Sequence, residues 1–326
     1  MKIAIVRLSA LGDIVQSMIV IQFIKKNFPI AEIDWFVEEK FAKVLELNND
    51  IHKTYKVNLS KKNILGFFLE IYRLKRKYKK LDEYDLTVDL QGLIKSAIVS
   101  KIIPSKKIFG FDKHSCREGL AAYLYSSSYY VDYDHNVIKR YIELTAWSLN
   151  ISSSTFDIYD KKKIIQENDA DISKPRYGLF VIGASFSSKQ YSIENFAIVA
   201  KSLNIDIIVL WGSQSEKELA ENLSLSSKNI TVSEKLNLIE LVKLINDACF
   251  VLGGDTGPTH IAWAQNIPSV TLFGSTPAYR NCFETNNNLA LSSESFVNIY
   301  KINKSDFSIN DIKPETVVSA INRILI

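Results

Sequence analysis

Short apolar runs alternate with stretches of apolar residues at helical spacing through most of the chain, the pattern of repeated strand–helix units. In the first half the runs Lys2 to Leu8, Ile33 to Val37, Tyr55 to Val57, Leu86 to Leu90 and Lys107 to Phe111 predict buried strands. Between them, Ile14, Ser17, Met18, Ile21 and Ile24 fall on one helical face that Pro29 ends, and Ile64, Phe67, Phe68, Ile71, Leu74 and Tyr78 define a second amphipathic helix. Helices are also predicted for Leu93 to Ile103 and His135 to Leu149. The pattern fades between Ile151 and Lys174, in an SSST, KKK and Asp/Asn-rich stretch, and restarts after Pro175.

The second half predicts strands at Leu179 to Ile182, Ile207 to Trp211, Cys249 to Leu252 and Val270 to Phe273. Helices follow at Ile193 to Leu203, Glu216 to Leu223, Leu238 to Asp247 and Pro258 to Gln265. Two series of such units mean two α/β domains, each a doubly wound parallel sheet. The expected organisation is a domain over residues 1–150, a linker over 151–175 and a second domain over 176–310. A final helix over 311–326 could pack back on the first domain. Ligands of such sheets sit at the carboxyl ends of the strands, and the expected site is a cleft between the two sheets.

A length of 326 residues suits two cores better than one. The net charge of +4 is too mild to point to nucleic acid. Cys116, Cys249 and Cys282 have no metal-type spacing and suit a reducing cytoplasm. Arg7 and Asp13 interrupt the first apolar run, which reads as neither a signal peptide nor a membrane span. The run Arg73 to Lys80 holds six cations and is either a solvated face or a contact for an anionic substrate or membrane.

The densest candidate chemistry lies in FVLGGDTGPTHIAW, Phe250 to Trp263. It reads as strand, tight glycine turn and helix, with Pro258 in the first helical turn. Free N–H groups and the helix dipole there suit an anion, phosphate above all, and Gly254 and Gly257 would let a ligand approach the backbone. Glycines at such a turn are also common in any α/β protein. A second polar loop, GASFSSK, offers Gly183, Ser185, Ser187 and Ser188 as donors and Lys189 as a point charge for a diphosphate. Glu216, after Trp211-Gly212-Ser213, is either a ribose acceptor or a helix N-terminal acid.

Asp13, after the first strand, is either functional or a first-turn acid favoured by the dipole. No G-x-G-x-x-G or G-x-S-x-G string occurs, which weakens dinucleotide-binding and hydrolase readings. Asp132-Tyr133-Asp134 has a D-x-D form but reads better as a cap for the next helix. No residue cluster has convincing metal spacing.

The blocks SALGDIVQS, WFVEEKFA, DLQGLIKSA, REGLA, WGSQSE and GDTGPTHIAWA occur in one order nearly end to end. In these the chain resembles the lipopolysaccharide heptosyltransferases, ADP-heptose glycosyltransferases of GT-B fold with two Rossmann-like domains. WFVEE and DLQGLIKSA are most similar to the heptosyltransferase I branch. The resemblance implies inverting, metal-independent transfer of heptose from ADP-heptose to Kdo of Kdo-lipid A, with no cofactor. The place implied is the cytoplasmic face of the inner membrane.

By the same resemblance Asp13 is the general base, and Lys189 with Ser185, Ser187 or Ser188 holds the diphosphate. Glu216 takes the ribose, and Lys235 and Leu236 lie near the adenine. Asp255, Thr256, Gly257 and His260 surround the heptose and phosphates. Arg117, His135 and Lys139 match acceptor-side positions. The family often has two threonines in the loop before the lysine, where this chain has serines and Phe186. Lys61 and Lys62 stand where the family has an arginine-rich acceptor loop. Two other readings stay open: a related enzyme with a heptose or other sugar acceptor, and a nucleotide-binding module without transfer activity.

Overall fold

The computed structural model describes residues 1–59, 64–166 and 176–325. The chain divides into two units, residues 1–166 and 167–326. In the first, the strands are β1 (Lys2–Val6), β2 (Glu32–Glu38), β3 (Lys53–Val57), β4 (Leu86–Asp89), β5 (Ile108–Phe111) and β6 (Ser127–Tyr129). The helices are α1 (Leu11–Ser17), α2 (Ile19–Asn27), α3 (Ala42–Leu45), α4 (Ile64–Tyr78), α5 (Ile94–Ile102) and α6 (Val137–Ser148). All strands are parallel, in the order β3-β2-β1-β4-β5-β6. Helices cover both faces, so the central strands are apolar on both sides and read as continuous runs. In β1 every residue after Lys2 is buried. Phe36 stacks on Tyr55 at 4.7 Å and meets Tyr78 of α4 edge-on at 5.1 Å, at the centre of one layer of the core.

The chain runs β1-β2-β3 in one direction and then crosses back to place β4 on the other side of β1. The order therefore reverses between β1 and β4, and the loops leaving those strands open a crevice at their carboxyl ends.

The second unit repeats this plan. Its strands are β7 (Tyr177–Val181), β8 (Asp206–Leu210), β9 (Ile230–Val232), β10 (Phe250–Gly254), β11 (Ser269–Phe273) and β12 (Asn288–Ser292). Its helices are α7 (Ile193–Ser202), α8 (Gln214–Ser224), α9 (Leu238–Asn246), α10 (Gly257–Ala264), α11 (Ala278–Asn281) and α12 (Pro314–Ile324). The parallel order is β12-β11-β10-β7-β8-β9, and the reversal falls between β7 and β10. Those are the strands that feed the two polar loops singled out in the sequence.

Two differences from the expected organisation have plain causes. The strands β6, β9 and β12 go unpredicted because they lie at sheet edges, where polar residues are tolerated, and β6 and β9 are also only three residues long. The expected linker begins later: Phe156 packs edge-on against Phe23 of α2, and Gln166 N–H bonds the Leu47 carbonyl. Residues 151–166 are thus part of the first unit. Val317, Ala320, Ile321 and Ile324 of α12 enter the core of the second unit, where the helix lies against α7, β11 and β12.

Candidate functional site

At the reversal point of the second sheet, the loop after β7 presents Lys189 and the turn after β10 presents Asp255. The Lys189 ammonium donates to Asp255 Oδ2 and to the Asp255 carbonyl, each at 2.7 Å. His260, one turn into α10, places Nε2 2.9 Å from Asp255 Oδ1. Asn281 of α11 donates to Oδ2 at 3.1 Å. Asp255 is thereby enclosed, 8% exposed. Burial alone would raise its pKa, but Lys189 and His260 outweigh burial and hold the carboxyl well below the usual carboxylate range. A carboxylate held that firmly is a poor proton acceptor; its role is to orient the cation and the imidazole.

Lys189 keeps a third N–H beyond the two spent on Asp255. Its ammonium also lies 5.4 Å from the centre of the Phe186 ring, which Lys304 approaches at 5.5 Å. The N-terminal end of α10, where the helix dipole is positive, lies at the same turn. Thr256, its N-cap, carries a buried Oγ1 that makes no hydrogen bond. Thr259 closes the turn, accepting from Thr256 N–H at 3.3 Å and donating to the Gly254 and Thr256 carbonyls.

Two of the predicted ligand-facing residues also have structural roles here. The space at Gly254 is used by the protein itself: a Cβ there would lie 2.3 Å from the Lys189 carbonyl oxygen, so the glycine lets the two loops touch. Among the serines, Ser188 is fully buried with its hydroxyl 3.2 Å from that of Ser275. It packs the loop, whereas Ser185 and Ser187 are exposed.

Glu216 has the structural one of the two roles its position allows, that of the helix N-terminal acid. Its Oε2 accepts from Gly212 and Ser213 N–H at 2.7 and 3.0 Å, which makes it the acid of a capping box on α8. The same carboxylate lies against Gly183, whose missing Cβ would come within 2.6 Å of it. It therefore sits at the carboxyl ends of β7 and β8, beside the loop of Lys189. Lys235 is exposed and Leu236 half-buried, in the loop from β9 to α9.

In the first unit the reversal point holds Asp13. Its Oδ1 lies 3.0 Å from Arg7, and its Oδ2 accepts from Ala10 N–H at 3.3 Å. Arg7 is 7% exposed, bonds the Leu90 carbonyl at 3.0 Å and lies 5.5 Å from the Tyr141 ring. Burial works against the charge on Arg7, but Asp13, Tyr141 and Asp89 outweigh it and raise the guanidinium pKa. Gln91 ties the β4 loop to the same place by accepting from Leu8 N–H at 2.8 Å. Asp89, fully buried, holds that loop by accepting from Gln91 and Gly92 N–H and from the hydroxyls of Ser96 and Tyr125. Its pKa is raised by burial, which those four donors only partly offset.

Arg117 lies in the loop after β5, His135 in the loop after β6 and Lys139 in the first turn of α6, all exposed. What joins these segments is Arg140, which the sequence reading passes over. Its guanidinium bonds the Ser115 and Tyr133 carbonyls and lies over the Phe111 and Tyr133 rings. Lys61 and Lys62 lie outside the described residues. The cap of α6 is Asn136, whose side chain accepts from Ile138 N–H, and not the D-x-D pair. Among the described residues no three His, Cys, Asp or Glu side chains cluster as metal ligands would.

The sequence profile of glycosyltransferase family 9 (heptosyltransferase) matches residues 71–300. The chain is 37% identical to lipopolysaccharide heptosyltransferase 1 of Campylobacter coli over 99% of both chains. It is 29% identical to the Pseudomonas aeruginosa protein of the same name over 85% of this chain and 79% of that one. Its fold matches the structure of E. coli heptosyltransferase WaaC with ADP at a TM-score of 0.82, with 21% identity over 99% of this chain and 100% of that one. It also matches E. coli ADP-heptose lps heptosyltransferase II at 0.75, with 18% identity over 100% and 98%. The two sheets are those of a GT-B fold.

Proposed function

The chain belongs to glycosyltransferase family 9, and on that premise we propose that it transfers L-glycero-D-manno-heptose from ADP-heptose to Kdo of Kdo-lipid A. The observation that carries this reading is the cation at the reversal point of the second sheet. Lys189 is held by Asp255 with one N–H to spare, beside the N-terminus of α10 and the exposed Ser185 and Ser187. Such a group meets the charge that builds on a departing diphosphate. Glu216 is the acid available to the ribose, and Lys235 and Leu236 flank the adenine. Thr256, Gly257 and His260 face the heptose and phosphates, and Asp255 acts through Lys189 and His260.

Asp13 is the proposed base. It takes the proton from the acceptor hydroxyl as the new glycosidic oxygen–carbon bond forms and the bond to ADP breaks. A single displacement on a β-configured donor inverts the anomeric carbon. No metal or other cofactor enters the scheme, because Lys189 and the backbone donors supply the charge compensation. Arg117, His135 and Lys139, with Lys61 and Lys62, are the proposed acceptor contacts. The proposed place of action is the cytoplasmic face of the inner membrane, where the protein is peripheral.

The test is the purified chain with ADP-heptose and two acceptors, one ending in Kdo and one in heptose, with products identified by mass. The Kdo product alone is expected. Transfer only to the heptose acceptor would move the chain to the second branch. ADP binding without product on either would leave a non-catalytic nucleotide-binding module.

A further inference from the structure

Helix α4 crosses from β3 to β4 and buries one stripe: Leu74 and Tyr78 are in the core, with Phe67 and Ile71 packed against it. The opposite side does not look like an ordinary solvated face. Phe68, Leu69 and Tyr72 are 60%, 52% and 60% exposed. At 100° per residue they share one sector, since positions three and four apart are neighbours on a helix. The same sector continues toward the C-terminus through Arg76, with Arg73 and Lys75 at its borders. Lys77, Lys79 and Lys80 extend the charge, and all six cations are exposed. The one acid of the helix, Glu70, is tucked beside Arg73 at 3.4 Å. Asp82, just after the run, turns to Lys2.

A solvated helix face needs no aromatic pair and leucine on its outside. A protein–protein contact of ordinary composition would not be rimmed by six like charges. Exposed aromatic and aliphatic side chains beside a block of lysine and arginine match a surface that is apolar a few ångströms down and anionic on top.

We propose that the outer face of α4 is the membrane-docking surface of this protein, with Phe68, Leu69 and Tyr72 entering the headgroup boundary of an anionic bilayer and Arg73 to Lys80 binding its phosphates. The inference rests on the membrane-surface localisation proposed above and adds the element that makes the contact. Among the described residues no helix is long and apolar enough to cross a membrane, so contact of this kind lies along the surface.

The experiment is co-sedimentation of the full chain with phosphatidylcholine vesicles, alone or mixed with phosphatidylglycerol, without sugar substrates. The chain is expected to sediment with the anionic vesicles, less so as salt rises, and to stay in solution with the neutral ones. Phe68→Ser/Leu69→Ser/Tyr72→Ser is expected to weaken binding about tenfold or more. Arg76→Gln/Lys79→Gln, which leaves every apolar residue in place, is expected to weaken it about twentyfold. Both variants should keep the wild-type circular dichroism and turn over a water-soluble acceptor at the wild-type rate. That last readout separates a failure of docking from a failure of the proposed transfer. The proposal is overturned if the wild-type chain ignores anionic vesicles or if the serine variant binds them as well as the wild type. It is also overturned if light scattering shows a dimer that the serine variant loses while vesicle binding is unchanged.

Discussion

Arg7 and Asp13 pair at 3.0 Å across the turn that leaves β1, one partner buried and the other at the surface. The buried guanidinium cannot move far, because it also holds the Leu90 carbonyl and lies against Tyr141. The carboxylate is thus aimed by a group anchored in the sheet. Asp13→Asn is expected to lower kcat by about 10²- to 10⁴-fold, the usual worth of a positioned base, with the KM for ADP-heptose little changed. Arg7→Met should also lower kcat while Asp13 is still present. Arg7→Lys should recover part of the loss. If Asp13→Asn turns over near the wild-type rate with its fold intact, Asp13 is not the base.

The Lys189–Asp255 pair makes a different demand. Both side chains are largely buried, so removing Asp255 leaves the Lys189 ammonium without its counter-charge. Asp255→Ala is expected to destabilise by about 3–5 kcal/mol in urea unfolding. Adding Lys189→Met should recover part of that stability without restoring activity. Lys189→Met alone should reduce kcat/KM by about 10²- to 10³-fold, as expected for loss of one charge-stabilising donor. Equal stability for Asp255→Ala and the double variant would show that the buried pair carries no such cost.

Much of this architecture was legible in the chain, for a physical reason. Strands buried on both faces are largely apolar, so β1, β7 and β10 stand out as runs. The polar strings that follow them mark the carboxyl ends where ligands bind. Pairings across the sheet were not legible. Lys189 and Asp255 are far apart in sequence and meet only because β10 lies beside β7, an order that periodicity does not encode. Arg7 reads as an interruption of the first strand, yet it is the partner of Asp13. Ser188 is indistinguishable in sequence from Ser187 but turns inward to Ser275. Arg140 sits in a helix whose charged positions look solvent-facing, and its cover of rings and carbonyls comes from β5 and from the loops after β5 and β6.

Gly254 gives a steric test of the contact between the two loops. An added Cβ would meet the Lys189 carbonyl at 2.3 Å, and that atom is backbone. Gly254→Ala is therefore expected to cost about 1–3 kcal/mol and to displace the loop that carries Lys189. ADP should bind more weakly in calorimetry. At Gly212 the nearest atom is the flexible Glu216 carboxylate at 3.3 Å, so Gly212→Ala should cost less. Similar losses at the two positions would argue that the Lys189 loop yields freely.

Lys161 supplies a pH-dependent prediction away from the site. It lies in the segment that docks on the first unit, 5% exposed, and burial lowers its pKa from 10.5 to about 7. In the unfolded chain the amine holds its proton up to the ordinary lysine range. Between about pH 7 and about pH 10.5 the unfolded state therefore binds more protons, and this residue makes stability rise with pH. Below that window both states are protonated and the cost of burying the charge is constant. Lys161→Met is expected to raise stability at pH 7 and below by an amount on the order of 1–4 kcal/mol, with the gain shrinking as pH rises through the window. Urea midpoints of both proteins across the window give the difference directly. A difference that does not change with pH would mean that Lys161 folds in its ordinary protonation state.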